Sequence, residues 1–216
     1  MKQNIKQRGI KTPEGRFLIP NDWYNGDLPV NIIMDRDVFI DSSYCFIMFH
    51  SKEQIAMKVG KASGIYDLAQ FVSSEKGKIK IGNFCILNGT TLLCSEKISI
   101  GNYVMASWGS VITDNYFGEN LTIEQRAILL ERISETNTRQ MPFSSSSPVT
   151  IEDNVWIGFD SVILPGTFIG RGSIIGSKSI VSGHIPEYSV VVGNPAKIIK
   201  KLDPTDLNWD SKTKLK

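Results

Sequence analysis

The sequence predicts an all-β fold, a parallel β-helix, on three observations. An aliphatic residue returns every sixth place from 151 onward: Ile151, Ile157, Ile163, Ile169, Ile175 and Val181. Small or β-branched residues keep the same beat, each four places after an aliphatic one: Val155, Ser161, Thr167, Ser173 and Ser179. A strict six matches neither the helical period of 3.6 nor the strand period of 2. It is the period of short strands wound three to a turn, each aliphatic residue pointing into the prism.

Taken in order, residues 1–37 contain Pro13, Pro20, Asn21, Gly26 and Pro29 and read as an irregular N-terminal flank. The β-helix is expected over 38–190. A loose partial coil around Ile40 and Phe46 precedes a coil of Val59, Ile65 and Phe71, with Ser63 and Ala69 at the small positions. A polar excursion, Ser73 to Lys78, interrupts it. Ile81, Leu87 and Leu93 then resume with Cys85 and Thr91, and one extra residue near Lys97 shifts the phase. Ile100, Ala106 and Ile112 follow with Val104 and Ser110. About five coils result, interrupted only at corners, where insertions leave the strands stacked.

The beat stops after Ile112 and returns at Ile151, so residues about 115–149 are expected as an extruded loop. Within it Leu121 to Ile133 reads as a helix: Thr122 and Gln125 fit a capping box, and Ile123, Ala127 and Leu130 share a face. Ser144 to Pro148 is a flexible return. A loop longer than about 12–15 residues is usually functional or disordered, and a helix inside it favours function. Residues 191–216 form a C-terminal segment, expected to carry a short helix.

Charge and cysteines exclude several function classes. Lys and Arg total 24 against 22 Asp and Glu, with no basic stripe interleaved with aromatics, which argues against a nucleic-acid partner. The opening residues lack a signal peptide's apolar run, and no stretch reaches the roughly 18 apolar residues of a membrane span. Cys45, Cys85 and Cys94 show no CxxC spacing. The chain reads as cytoplasmic.

Three stretches carry a resemblance: Ser107-Trp108-Gly109 to Asp114 (SWGSVITD), Val155-Trp156-Ile157-Gly158 (VWIG), and Ile185-Pro186 to Ile198 (IPEYSVVVGNPAKI). Together, over about residues 59–200, they resemble the hexapeptide-repeat acyltransferase superfamily, close to its sugar and maltose or galactoside acetyltransferase branch. The resemblance implies a left-handed β-helix that forms a homotrimer. It also implies acetyl-CoA or another acyl-CoA as co-substrate, held in a groove between prisms and completed by the extruded loop, with no metal. On the CoA side, Trp156 matches the family tryptophan near the thioester. Phe159 and Ser177 match turn residues along the pantetheine, and Ser182 matches a hydroxyl residue at the adenine end. Lys197 matches a basic residue at the phosphates. Gly183 stands where relatives often have Lys, and Lys200 or Lys201 are candidates to replace it.

Acyl transfer needs a nucleophile, a proton acceptor and donors for the oxyanion. Relatives place a histidine shortly after an Asp in the loop. Here Thr113-Asp114-Asn115-Tyr116-Phe117-Gly118 contains none, and the chain has only His50 and His184. Two histidines also cannot build the three-histidine metal site of hexapeptide carbonic anhydrases. Without a histidine an amine is the better nucleophile, because its neutral form needs no base to attack. The expected reaction is acyl transfer to an amino or nucleotide-linked sugar in glycan biosynthesis. Asp114 is the candidate base or orienting carboxylate, and Asn115 the candidate for holding a sugar hydroxyl or polarising the thioester. Asp and Asn also favour a simple turn at this place. Trp108 and Tyr116 either stack on a sugar or base or cover the trimer seam. The alternatives are O-acetylation of a saccharide and a non-catalytic trimeric scaffold.

Overall fold

The computed structural model describes residues 10–11, 17–19, 21–116, 118, 120–135 and 145–204. Its body is a left-handed parallel β-helix with three faces. The first face stacks seven short strands, from Ile32–Met34 to His184–Ile185, and the third stacks five, from Gln70–Ser73 to Ile180–Val181. The second stacks eight, from Phe39–Ile40 to Ser189–Gly193 and the terminal Ala196–Lys201. The helix begins at Ile32, within the segment expected as flank. A short antiparallel pair, Ile10–Lys11 with Phe17–Leu18, precedes it.

The six-residue beat becomes geometry directly. Ile151, Ile157, Ile163, Ile169, Ile175 and Val181 are all buried inside the prism, as are Val59, Ile65, Phe71, Ile81, Leu87, Ile100, Ala106 and Ile112. Burying such a side chain is worth roughly 1.5–3 kcal/mol, and each is repeated one rung above and below. The small positions are hydroxyl-rich because turn carbonyls lie within reach. Ser63 Oγ donates to the Gly82 carbonyl at 2.8 Å, Ser161 Oγ to Gly176 at 3.0 Å, and Ser110 Oγ to Ser107 and Gly158 at 2.6 and 3.1 Å. An alanine there would bury these acceptors with one bond fewer.

Two expectations are corrected. Leu92 and Thr90, rather than Leu93 and Thr91, point inward. The phase slips at the Asn88–Thr90 corner, where Gly89 adopts a positive φ of 49°. The C-terminal helix is not found among the described residues: Ala196–Lys201 is a strand running antiparallel to Ser189–Gly193. Residues 205–216 lie outside the described ones.

The three outer faces differ in chemistry. The first presents Lys58, Lys80, Ser99, Thr150, Phe168 and His184 in one outward row. On the second, the outward row runs Ile86, Met105, Trp156, Ile174, with Met105 and Trp156 about half exposed. The third shows Val111, Val162 and Ile180.

Candidate functional site

The edge between the third and first faces carries the root of the extruded loop. Its neck is closed by a bridge between Asn115 and Ser146, by Ser147 N–H donating to the Asp114 carbonyl at 2.7 Å, and by Ser146 Oγ–H donating to Glu96 Oε2 at 2.9 Å. Beyond the neck, Thr122 and Gln125 form the expected capping box of the helix Ile123–Ser134. That helix has no buried residue.

Asp114 is fully buried at this root. Its Oδ1 accepts the Ser95 N–H at 2.6 Å, and its Oδ2 accepts those of Glu96 and Lys97 at 2.8 and 2.7 Å. The Asn115 amide adds a longer bond at 3.4 Å. A carboxylate so engaged ties down the 95–97 turn of the preceding coil. The expectation of Asp114 as a base facing substrate therefore does not match its placement in the protomer, because its oxygens point at the chain. Asn115 is also fully buried, and its Oδ1 has no hydrogen-bond partner; the neighbouring Ser95 Oγ is in the same state.

The thiols are inert. Burial first and the Asp114 charge second push the Cys94 thiol far above its ordinary range, while burial pushes Cys85 up to about 11. Cys45 is raised too, chiefly by burial. None is a thiolate near neutral pH. Neither histidine is hydrogen-bonded to Asp114 among the described residues. His184 stacks on Phe168 on the first face at 4.9 Å. His50 donates its backbone N–H to Ser73 Oγ on the first coil.

The edge between the second and third faces is a second cluster. Trp108 and Phe159, from successive coils, lie parallel with centroids 5.8 Å apart and planes within 9°. Both are nearly half exposed. Ser177 and Lys178 occupy the next rung, where Lys178 N–H donates to the Phe159 carbonyl and its ammonium pairs with Asp160 at 3.3 Å. On the other side the Trp108 indole N–H donates to Asp67 Oδ2 at 3.0 Å. Sequence reasoning missed Asp67 because 41 residues separate the two.

The expected residues are thus distributed. Trp108, Phe159 and Ser177 share one edge, with Trp156 on the adjoining second face. Tyr116, half exposed, stands at the other side of the third face, beside the loop neck. Ser182 is exposed at that same far edge, and Lys197 and Lys200 lie exposed on the terminal strand. Asp114 and Asn115 come together but are buried. Among the described residues no group of three His, Cys, Asp or Glu side chains could hold a metal ion.

This architecture has named relatives. Residues 148–183 match the bacterial transferase hexapeptide family (six repeats). Residues 148–183 carry the bacterial transferase hexapeptide repeat. This hexapeptide-repeat chain is 34% identical over 128 residues to a putative lipopolysaccharide biosynthesis O-acetyl transferase, WbbJ, of Escherichia coli. That match covers 54% of this chain and 63% of the relative, so the chain spans less than two thirds of the relative's length. The fold is shared with a hexapeptide-repeat acetyltransferase of Vibrio cholerae solved with acetyl coenzyme A. Its TM-score is 0.54 at 24% identity, over 68% of this chain and 71% of that one. It is shared as well with AntD, an N-acyltransferase of Bacillus cereus solved as a variant with dTDP-4-amino-4,6-dideoxyglucose and coenzyme A. There the TM-score is 0.60 at 19% identity, over 80% and 84% of the chains.

Proposed function

We propose that this protein is an acyl-CoA-dependent acyltransferase, in the first place an acetyltransferase, acting on an amino or nucleotide-linked sugar in surface-polysaccharide or related glycan biosynthesis. The carrying observation is the half-exposed Trp156, set on the apolar second face within the repeat that bacterial transferases share. CoA lies along the exposed rungs around Trp156, Phe159 and Ser177, with Ser182 and Lys197 at its far end and Lys200 as the additional cation. The apolar second and third faces pack against neighbouring prisms in a homotrimer, which works in the cytoplasm and brings the separated groups of two protomers together.

Transfer to nitrogen is the first reading because no histidine stands by Asp114 and the thiols are protonated, so the nucleophile has to attack without a strong base of the protein. Asp114 acts as a positioning group for the loop root. Tyr116 faces the acceptor when a neighbouring prism completes the neck, and Asn115 lies buried beside it with its Oδ1 unpartnered. Transfer to a saccharide hydroxyl is the second reading, favoured by the Escherichia coli relative. Acetyl-CoA in large excess over its dissociation constant raises the melting temperature, an effect worth about 2.7 kcal/mol at a hundredfold excess. Failure to stabilise the protein sinks both enzyme readings and leaves the non-catalytic scaffold. Release of free CoA thiol with amino sugars against neutral sugars separates nitrogen from oxygen transfer.

A further inference from the structure

The second edge holds a pair, Asp67 and Trp108, that the reading above does not use. Gly89 lies on the rung between Asp67 and Trp108. A Cβ built there would come within 3.0 Å of Trp108 Cδ1 and 3.1 Å of the Asp67 carbonyl oxygen. With no side chain on that rung, the indole leans across it and its N–H reaches the Asp67 carboxylate two coils away. The other aromatic neighbour is Phe159. Asp67, Trp108 and Phe159 therefore form one strut along the edge, with the two rings already fixed before any ligand arrives.

The strut is not neutral. Asp67 is exposed, uses only Oδ2 for Trp108, and has no hydrogen bond to Oδ1 among the described residues. Its own backbone N–H donates to Asp41 Oδ2 at 2.6 Å, which sets a second carboxylate one rung below. Neither acid has a cationic partner among the described residues, whereas Asp160 above the rings is paired with Lys178. Two unneutralised carboxylates beside aromatic rings attract an ammonium group and repel a phosphate. Fixed rings add apolar contact at little cost in side-chain entropy.

We infer that Asp67 is a specificity-determining residue that takes the protonated amine of a non-phosphorylated amino sugar against the Trp108–Phe159 strut. This rests on the acyltransferase reading and narrows it: the acceptor reaching this edge bears a free amine and no neighbouring phosphate. The amine is then delivered for acylation after giving up its proton to solvent, and no covalent step is assigned to Asp67.

Saturation-transfer NMR on the full chain tests it, with glucosamine, glucose and glucosamine 6-phosphate as probes near neutral pH. The wild type is expected to favour glucosamine over glucose by roughly three- to tenfold, the span of an exposed charge-assisted contact, and to bind the phosphorylated sugar least. Asp67→Asn removes the advantage of the amine, and Asp67→Glu restores part of it. Trp108→Phe, which breaks the indole hydrogen bond but keeps the carboxylate, weakens all three probes together and preserves their order. An equal response to glucosamine and glucose in the wild type overturns the inference, and so does an Asp67→Asn variant that keeps the preference. Acetyl-CoA stabilisation, measured in parallel on the wild type and Asp67→Asn, is expected to be the same in both. If acetyl-CoA stabilises neither, the acyltransferase reading fails while the sugar arm still decides Asp67.

Discussion

Two aspartates at prism edges, Asp114 and Asp67, look alike in sequence and do opposite things. Asp114 sits where the loop leaves the helix and spends both oxygens on the amides of residues 95–97. Asp67 sits at a corner without an insertion and leaves one oxygen open. The lesson is that a carboxylate's role in this architecture is set by how many backbone donors its neighbouring coil turns toward it. Where the coil below turns several amides to one point, as at 95–97, the acid is absorbed into the scaffold. Below Asp67 the chain enters the 3-10 helix Ser43–Phe46 instead, and the acid is left for a side chain and for solvent.

The largest expected effect breaks the buried member of the pair. Asp114→Ala strips the acceptor from three amides, two of them partly within reach of water, and is expected to cost about 3 kcal/mol. For a chain of this size that lowers the melting temperature by roughly 10 °C. Asp114→Asn keeps one oxygen acceptor and is expected to fall between. A melting temperature within a degree or two of the wild type in Asp114→Ala would mean that the 95–97 amides are satisfied elsewhere and would reopen Asp114 as a group for chemistry.

Gly89→Ala attacks the exposed edge through its backbone. At a φ of 49° a Cβ is disfavoured by roughly 1–2 kcal/mol. The same Cβ pushes on the indole at 3.0 Å. Stability should drop by that amount, and the near-ultraviolet circular dichroism of Trp108 should change with it. An unchanged aromatic signal would show that Trp108 does not need the empty rung.

Asp67→Asn sharpens the contrast from the other side. The group is exposed and its bond to Trp108 lies at the surface, so its removal is expected to cost less than about 1 kcal/mol. Equilibrium urea unfolding of Asp67→Asn beside Asp114→Asn compares the two aspartates directly. A loss in Asp67→Asn equal to that in Asp114→Asn would dissolve the distinction drawn between the edges.

Much of this was legible before any coordinates. The inward aliphatic column was readable because each strand contributes one core residue at a fixed spacing, and the capping box was readable because its partners lie three residues apart. The slip at Asn88–Thr90 was harder. Leu92 and Leu93 are chemically identical, and the sequence offers no sign of which one faces in once Gly89 has tightened the corner. The edges were least legible of all. The bonds that define them join residues one or two coils apart, 19 between Asp114 and Ser95 and 41 between Asp67 and Trp108, so a turn-favouring Asp reads the same in either place. The terminal strand was misjudged for a related reason. Ala196–Lys201 is a strand because Ser189–Gly193 offers it an open edge to pair with, which is a property of the folded prism and not of the segment.

The smallest effect on global stability concerns the loop beyond the neck. Thr122→Ala removes the Thr122 half of the capping box, in which Thr122 Oγ accepts the Gln125 N–H at 3.2 Å, and should weaken the helix by about 1 kcal/mol. Because Ile123–Ser134 buries nothing against its own prism, with Ile123, Ile128 and Leu130 all more than half exposed, that loss should stay local. Amide hydrogen exchange in residues 123–134 should quicken severalfold while the global melting temperature holds. The proposed homotrimer sharpens this prediction. If neighbouring prisms cover the apolar face of the helix, the same substitution will lower the melting temperature of the assembled protein at high concentration and spare it at low concentration. A global loss independent of concentration would place the helix against its own prism, and the loop would then belong with Asp114 to the scaffold rather than to the site.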